Sequence, residues 1–269
     1  MPEISEAIRA FAEEPDRFVH EPPAPVHRIR RASFTLMLSP TRTMSNVSCV
    51  RTSEGELDAT IAEAREVIRA KGYTRNVWSI GPSTRPHGLA ALLAARGFVP
   101  ADRPPFESSA TAMALVRPPP RPPAGVEARA VRDFDEYLEM WRLAIEVFNE
   151  SAEAAAGWLA AAPALWEQLD GVNRFAYVAV IDRKPVGFAF AVGGPSGLLL
   201  GGGGVAAAAR GKGAYRALLA ARWADAVRLG KPALVIHAGA MSRPIVARCG
   251  FEPVCEVLVM EDARVGQAG

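Results

Sequence analysis

Eight residues near the middle of the chain, Pro118-Pro119-Pro120-Arg121-Pro122-Pro123-Ala124-Gly125, can enter neither a helix nor the interior of a sheet. Proline lacks the N–H that both ladders use, and its ring fixes φ. Such a run behaves as a semi-rigid spacer. It divides the chain into a part at 1–117, a linker at 118–125 and a part at 126–269. Each flanking part has the size of an ordinary domain.

The second part gives the clearer pattern. Val126 to Val131 reads as a strand, and Asp133 to Phe148 and Glu150 to Leu169 as helices, with Asp133 as an N-cap. Phe175 to Ile181 and Val186 to Val192 read as strands joined through Asp182-Arg183-Lys184-Pro185. Leu198 to Val205 is a further strand, and Ala214 to Leu229 a helix ended by Gly230. Ala233 to His237, Ser242 to Arg248 and Phe251 to Met260 complete the order β-α-α-β-β-β-α-β-α-β. This is an α/β (α+β) pattern with a mixed sheet.

Gly187 to Ala209 carries no charge over 23 residues, enough to span a bilayer. It contains eight glycines, and Gly193-Gly194-Pro195-Ser196-Gly197 is a turn, so two buried strands are expected rather than a membrane helix. The net charge of +2 comes from arginines interleaved with acids, without the dense basic stripe of a nucleic-acid binder. Three cysteines without a Cys-x-x-Cys pair, and Met1 to Arg17 without an apolar signal segment, point to the cytoplasm. The four histidines have no metal-ligand spacing, and no metal is expected.

The chemistry concentrates where the strand 198–205 meets the helix at 214. The first amides of a helix lack internal partners and carry partial positive charge, so a pyrophosphate fits there. Glycines at 211 and 213 let backbone approach the oxygens, and Arg210 and Lys212 add cationic charge.

Val205-x-x-x-x-Arg210-Gly211-Lys212-Gly213 resembles motif A of the GCN5-related N-acetyltransferases (GNATs), and the element order resembles their fold. The resemblance covers the whole 126–269 part. It implies acetyl-CoA as cosubstrate and an amine-bearing acceptor. Gly203, Gly204, Val205, Arg210, Gly211, Lys212, Gly213, Ala214 and Tyr215 would form the cofactor site. The pantetheine arm would pair with Gly203 to Val205, where the two central strands splay apart. Two departures stand out. Tyr215 replaces a small residue of the motif, and Val246 and Gly239 occupy the positions of the family's tyrosine acid and asparagine. No catalytic residue is therefore assigned. Glu146, Glu150, Glu153, His237, Tyr177 and Cys249 are the titratable groups near the site, and each reads more simply as surface or core.

The first part echoes the second. Glu56 to Lys71 is an amphipathic helix ended by Gly72. Arg85-Pro86 and Gly97-Phe98-Val99-Pro100 follow it, as Arg243-Pro244 and Gly250-Phe251-Glu252-Pro253 follow Gly230. The arrangement implied is two tandem GNAT-like domains, the first a degenerate copy. Where Gly213 has its counterpart in Gly55, glutamates stand at 54 and 56, which repel a pyrophosphate. Two other readings compete with this one. A dinucleotide-binding fingerprint at Gly201-x-Gly203-x-x-Ala206 lacks an acid after the next strand. An acyl-CoA-binding module without turnover keeps the same site.

Overall fold

The computed structural model describes residues 3–20, 27–39, 45–103 and 106–265. Before the linker lie α1 (Glu6–Glu13), β1 (His27–Arg30), β2 (Thr35–Leu38), β3 (Ser45–Ser48), α2 (Leu57–Ala70), β4 (Asn76–Ile80), α3 (Leu89–Ala94), β5 (Phe98–Pro100) and β6 (Ser109–Leu115). After it lie β7 (Val126–Ala130), α4 (Phe134–Phe148), α5 (Ala152–Trp166), β8 (Arg174–Ile181), β9 (Lys184–Gly193), β10 (Leu198–Val205), α6 (Ala214–Arg228), β11 (Leu234–Ala238), α7 (Arg243–Arg248) and β12 (Glu252–Asp262). The later elements come in the order read from the sequence.

Local chemistry sets the boundaries. Asp133 caps α4 by accepting from the Glu136 amide, and Ser151 caps α5 by accepting from Ala154. Helix α4 stops at Asn149 in the left-handed region. The β8–β9 hairpin turns on Asp182 and Arg183, both at positive φ, the conformation a two-residue hairpin needs. The uncharged stretch 187–209 becomes the end of β9, a turn and β10. Among the described residues no helix is long and apolar enough to cross a membrane.

The strands form one sheet in the order β1-β2-β3-β4-β12-β6-β11-β10-β9-β8-β7, with β5 also on β12. The interruption at 118–125 in chain order is thus not an interruption of the sheet. Strand β6 precedes the linker yet sits between β11 and β12. The long β12 pairs with β6 over Glu252 to Leu258, then runs on beside β4 and β5 from Leu258 to Asp262. Each half therefore lends a strand to the other. Three ion pairs fix the overlap: Arg65 of α2 to Asp262, and Arg75 and Arg103 both to Glu261.

Side chains alternate between two faces. On β11, Leu234 packs in the core beneath α6, and Val235 in the core beneath α1. On β9, Ala189 and Ala191 join the α6 core while Phe188 packs against Tyr137 and Met140 of α4. Helices α1 and α4 thus cover the face opposite α6. Phe34, Leu36, Val47, Trp78, Ile61 and Ile68 build a separate core in the first half.

Candidate active site

Strands β10 and β11 run parallel but pair only at Leu198 with Leu234 and Leu199 with Val235. Beyond that point they part, and β10 carries a register shift between Leu200 and Gly203 against β9. The amide of Ala206 bonds the carbonyl of Val186. By the alternation of an antiparallel ladder, Gly204 also turns its polar groups to β9, while Gly203 and Val205 turn theirs into the splay. Arg210 Nε reaches the Val205 carbonyl at 3.4 Å from that side. The glycines allow α4 to lie close: a Cβ on Gly204 would stand 2.6 Å from Val147 Cγ1.

At the end of β10 a short 3₁₀ turn at Ala207–Ala209 leads into the loop. Gly211 and Gly213 have φ of 77° and 90°, and Gly213 is the N-cap of α6. Among the described residues no group accepts from the amides of Gly211, Gly213, Ala214 or Tyr215. Arg210, Gly211 and Lys212 are exposed. Unbonded amides, a helix N-terminus and two cations that form no ion pair among the described residues meet at one point, an arrangement suited to an anion. The linker lies against this loop, because a Cβ on Gly213 would overlap the ring of Pro123. Tyr215 turns inward, packing on the core with the buried Arg222 guanidinium 5.9 Å from its ring. Burial raises its phenol. The side chain therefore does not fill the space in front of the loop amides.

The titratable candidates separate clearly. Glu146, Glu150 and Glu153 are exposed. Tyr177 is fully buried, its hydroxyl donating to Asp225 at 2.8 Å, and burial drives its phenol far up. Cys249 is buried and its thiol raised by desolvation. Val246 lies entirely in the core, so α7 offers no acid at the tyrosine position. At Gly239 and Ala240 the carboxylate of Glu107, just before β6, accepts from the Ala240 amide at 2.7 Å. His237, on β11 beyond the last pair with β10, holds the Ala12 carbonyl at 2.8 Å through Nε2. Burial lowers its pKa.

The sequence reading did not include α1 and the turn after it. Ser5 before an amphipathic run was the available signal, and the side chain caps Ile8. This segment places Glu13, Glu14 and Asp16 beside His237, Leu199, Ser48 and Ser79 around a cavity of about 190 Å³.

The corresponding place in the first half is closed. After β3 the chain stays paired: Arg85 donates to Val50 O and receives from Thr52 N, and Arg51 bridges Arg85. The start of its helical segment is satisfied by a capping box between Ser53 and Glu56.

No family model and no curated protein matches the chain. Solved structures do. A GCN5-related N-acetyltransferase from Kribbella flavida is 17% identical, with a TM-score of 0.66 over 88% of this chain and 90% of that one. A tandem GNAT protein from the clavulanic acid biosynthesis pathway is 20% identical, with a TM-score of 0.61 over 93% and 86%. A GCN5-related N-acetyltransferase from Sphaerobacter thermophilus is 17% identical, with a TM-score of 0.62 over 86% and 76%. These likenesses establish the fold.

Proposed function

We propose that this chain, which has the fold of the GCN5-related N-acetyltransferases in a tandem arrangement, transfers an acetyl group from acetyl-CoA to a primary amine. The observation that carries the reading is the parting of β10 and β11 beside a loop of unsatisfied amides. The pyrophosphate would lie on Gly211, Gly213, Ala214 and Tyr215 amides, with Arg210 and Lys212 flanking it. The pantetheine would pair with the edge of Gly203 and Val205, displacing the Arg210 contact to the Val205 carbonyl, with Gly204 kept small by the approach of α4.

Acetyl-CoA supplies an activated carbonyl whose thiolate leaves readily. The chain would supply position and polarity through N–H groups facing the splay for the developing oxyanion. The buried Val246 favours sulfur reprotonation by a group other than an α7 tyrosine.

The test is calorimetric titration with acetyl-CoA, followed by thiol release with amines. Charge reversal of Arg210 and Lys212 is the suitable control, since both are exposed, whereas any side chain at Gly213 collides with Pro123. One site per chain, weakened at least tenfold by the double reversal, supports the reading. No binding to the intact chain removes it. Binding without thiol release for any amine would favour a non-catalytic acyl-CoA module.

A further inference from the structure

The cavity at the junction of the halves abuts the apex of the splay. Leu199, at the last paired position, and Leu200 after it line it from β10, and His237 lines it from β11 two residues past the last pair. It lies on the α1 face, since His237 follows Val235 by two residues on the same strand. The phosphate loop belongs to α6, on the opposite face. A thioester held in the splay would therefore have the loop on one side and this cavity on the other.

The walls come from both halves. Ser48 and Ser79 project from β3 and β4 of the first half, and Glu13 and Asp16 from α1 and the turn that follows. The charges are unequal in their commitments. Asp16 is paired with Arg28 and accepts from Ser48, and Glu14 is paired with Arg51. Among the described residues Glu13 forms no ion pair, accepting instead from the Ser83 amide at 2.5 Å and hydroxyl at 2.9 Å, with Arg51 and His237 within electrostatic reach. One carboxylate is thus left to be balanced. At His237 the Ala12 carbonyl can only accept, so Nε2 carries the ring proton. Nδ1 is then left with the lone pair, and the Glu13 backbone also faces the ring as an acceptor beside Ala12.

Resting on the acetyl-transfer reading, we infer that this cavity is the acceptor pocket, that it takes a small primary ammonium, and that Glu13 balances its charge while His237 receives its proton. The volume is below the roughly 300–1,000 Å³ of pockets for drug-sized ligands, which sets the size class. In the step, the ammonium gives one proton to Nδ1 of His237. Its freed lone pair attacks the thioester carbonyl carbon, the C–N bond forms and the C–S bond breaks. Sulfur leaves with the bonding pair and takes the second proton shed by the nitrogen. His237 returns its proton to solvent. The degenerate half thereby acquires a role as one wall of the acceptor site.

The experiment uses the intact chain with acetyl-CoA and ethylamine, n-butylamine, ethanolamine and putrescine, following thiol release. Glu13→Gln removes the charge, Ser79→Phe fills the cavity, and His237→Gln removes the base. The first two are expected to raise the amine KM at least tenfold, with acetyl-CoA Kd within twofold of the parent. The third is expected to lower kcat by about 100-fold, the lower range for general-base loss, with the amine KM little changed. Unaltered amine KM in both Glu13→Gln and Ser79→Phe overturns the assignment, as does acetyl-CoA binding without turnover of any amine in the series. Failure of acetyl-CoA to bind the parent chain instead overturns the acetyl-transfer reading itself.

Discussion

Arg65, on α2, grips Asp262, at the end of β12, through two hydrogen bonds of 2.7 and 2.8 Å. The pair joins residues 197 positions apart and closes the first half with the last strand of the second. The Asp262 side chain is only 1% exposed.

Removing the guanidinium leaves a buried carboxylate without its counter-charge. Arg65→Ala is expected to destabilise the chain by about 3 kcal/mol, within the range for breaking a buried ion pair. Chemical denaturation of the parent and variant gives the difference directly. A loss below about 1 kcal/mol would mean that water replaces the guanidinium there.

Glu136 is held by Arg129 at 2.7 Å and also accepts from the Arg132 amide. The Arg129 guanidinium is the main cause that lowers its carboxyl to about 2 from the ordinary 4.5. A depressed folded-state pKa contributes stability above the unfolded value and loses it as pH falls through the folded one. The contribution is expected in full above pH 4.5 and to fade between there and pH 2. With solvent screening it should amount to about 1–2 kcal/mol. Comparing Glu136→Gln with the parent across that window should show a gap at neutral pH that vanishes in acid.

Gly204 lies under α4, where an added Cβ would stand 2.6 Å from Val147 Cγ1 and 3.1 Å from the Phe188 ring. Gly204→Ala is expected to cost about 1–3 kcal/mol through overpacking. Adding Val147→Ala should recover much of that loss. A double-mutant cycle that proves additive would show that the crowding is relieved elsewhere.

Titration with acetyl-CoA is expected to end at one equivalent per chain. In the first half, Arg85 occupies the strand edge that β10 leaves open, and Ser53 and Glu56 satisfy the start of the helical segment. A second equivalent would require that edge to open.

The sequence made local features legible. The hairpin at Asp182 and Arg183, the cap at Asp133 and the glycine entry to α6 are each set by residues within a few positions of one another. The positive φ of Gly211 and Gly213 at the entry to α6 was legible for the same reason. The pairing of β6 between β11 and β12 was not, because Ala112 opposite His237 leaves no mark in either neighbourhood. Glu13 and Asp16 read as a charged surface at the chain's start, and only the packing of Phe11 and Ala12 on the sheet turns them inward. The Arg-Pro echo also differs in detail: Arg85 pairs with Arg51 as backbone, whereas Arg243 opens α7.

The exchange of β6 and β12 also dictates a schedule for synthesis. Met260 lies opposite Trp78, so β4 leaves the ribosome roughly 180 residues before the strand that flanks it. At bacterial and eukaryotic elongation rates of about 5–20 residues per second that interval is on the order of 10–35 s. Throughout it the first half exposes the edge of β4 that β12 will cover, and β6 waits for both β12 and β11. Nascent chains arrested just after the linker should therefore expose hydrophobic edges and hold chaperones, and release should coincide with emergence of the final strand rather than with completion of the first 117 residues.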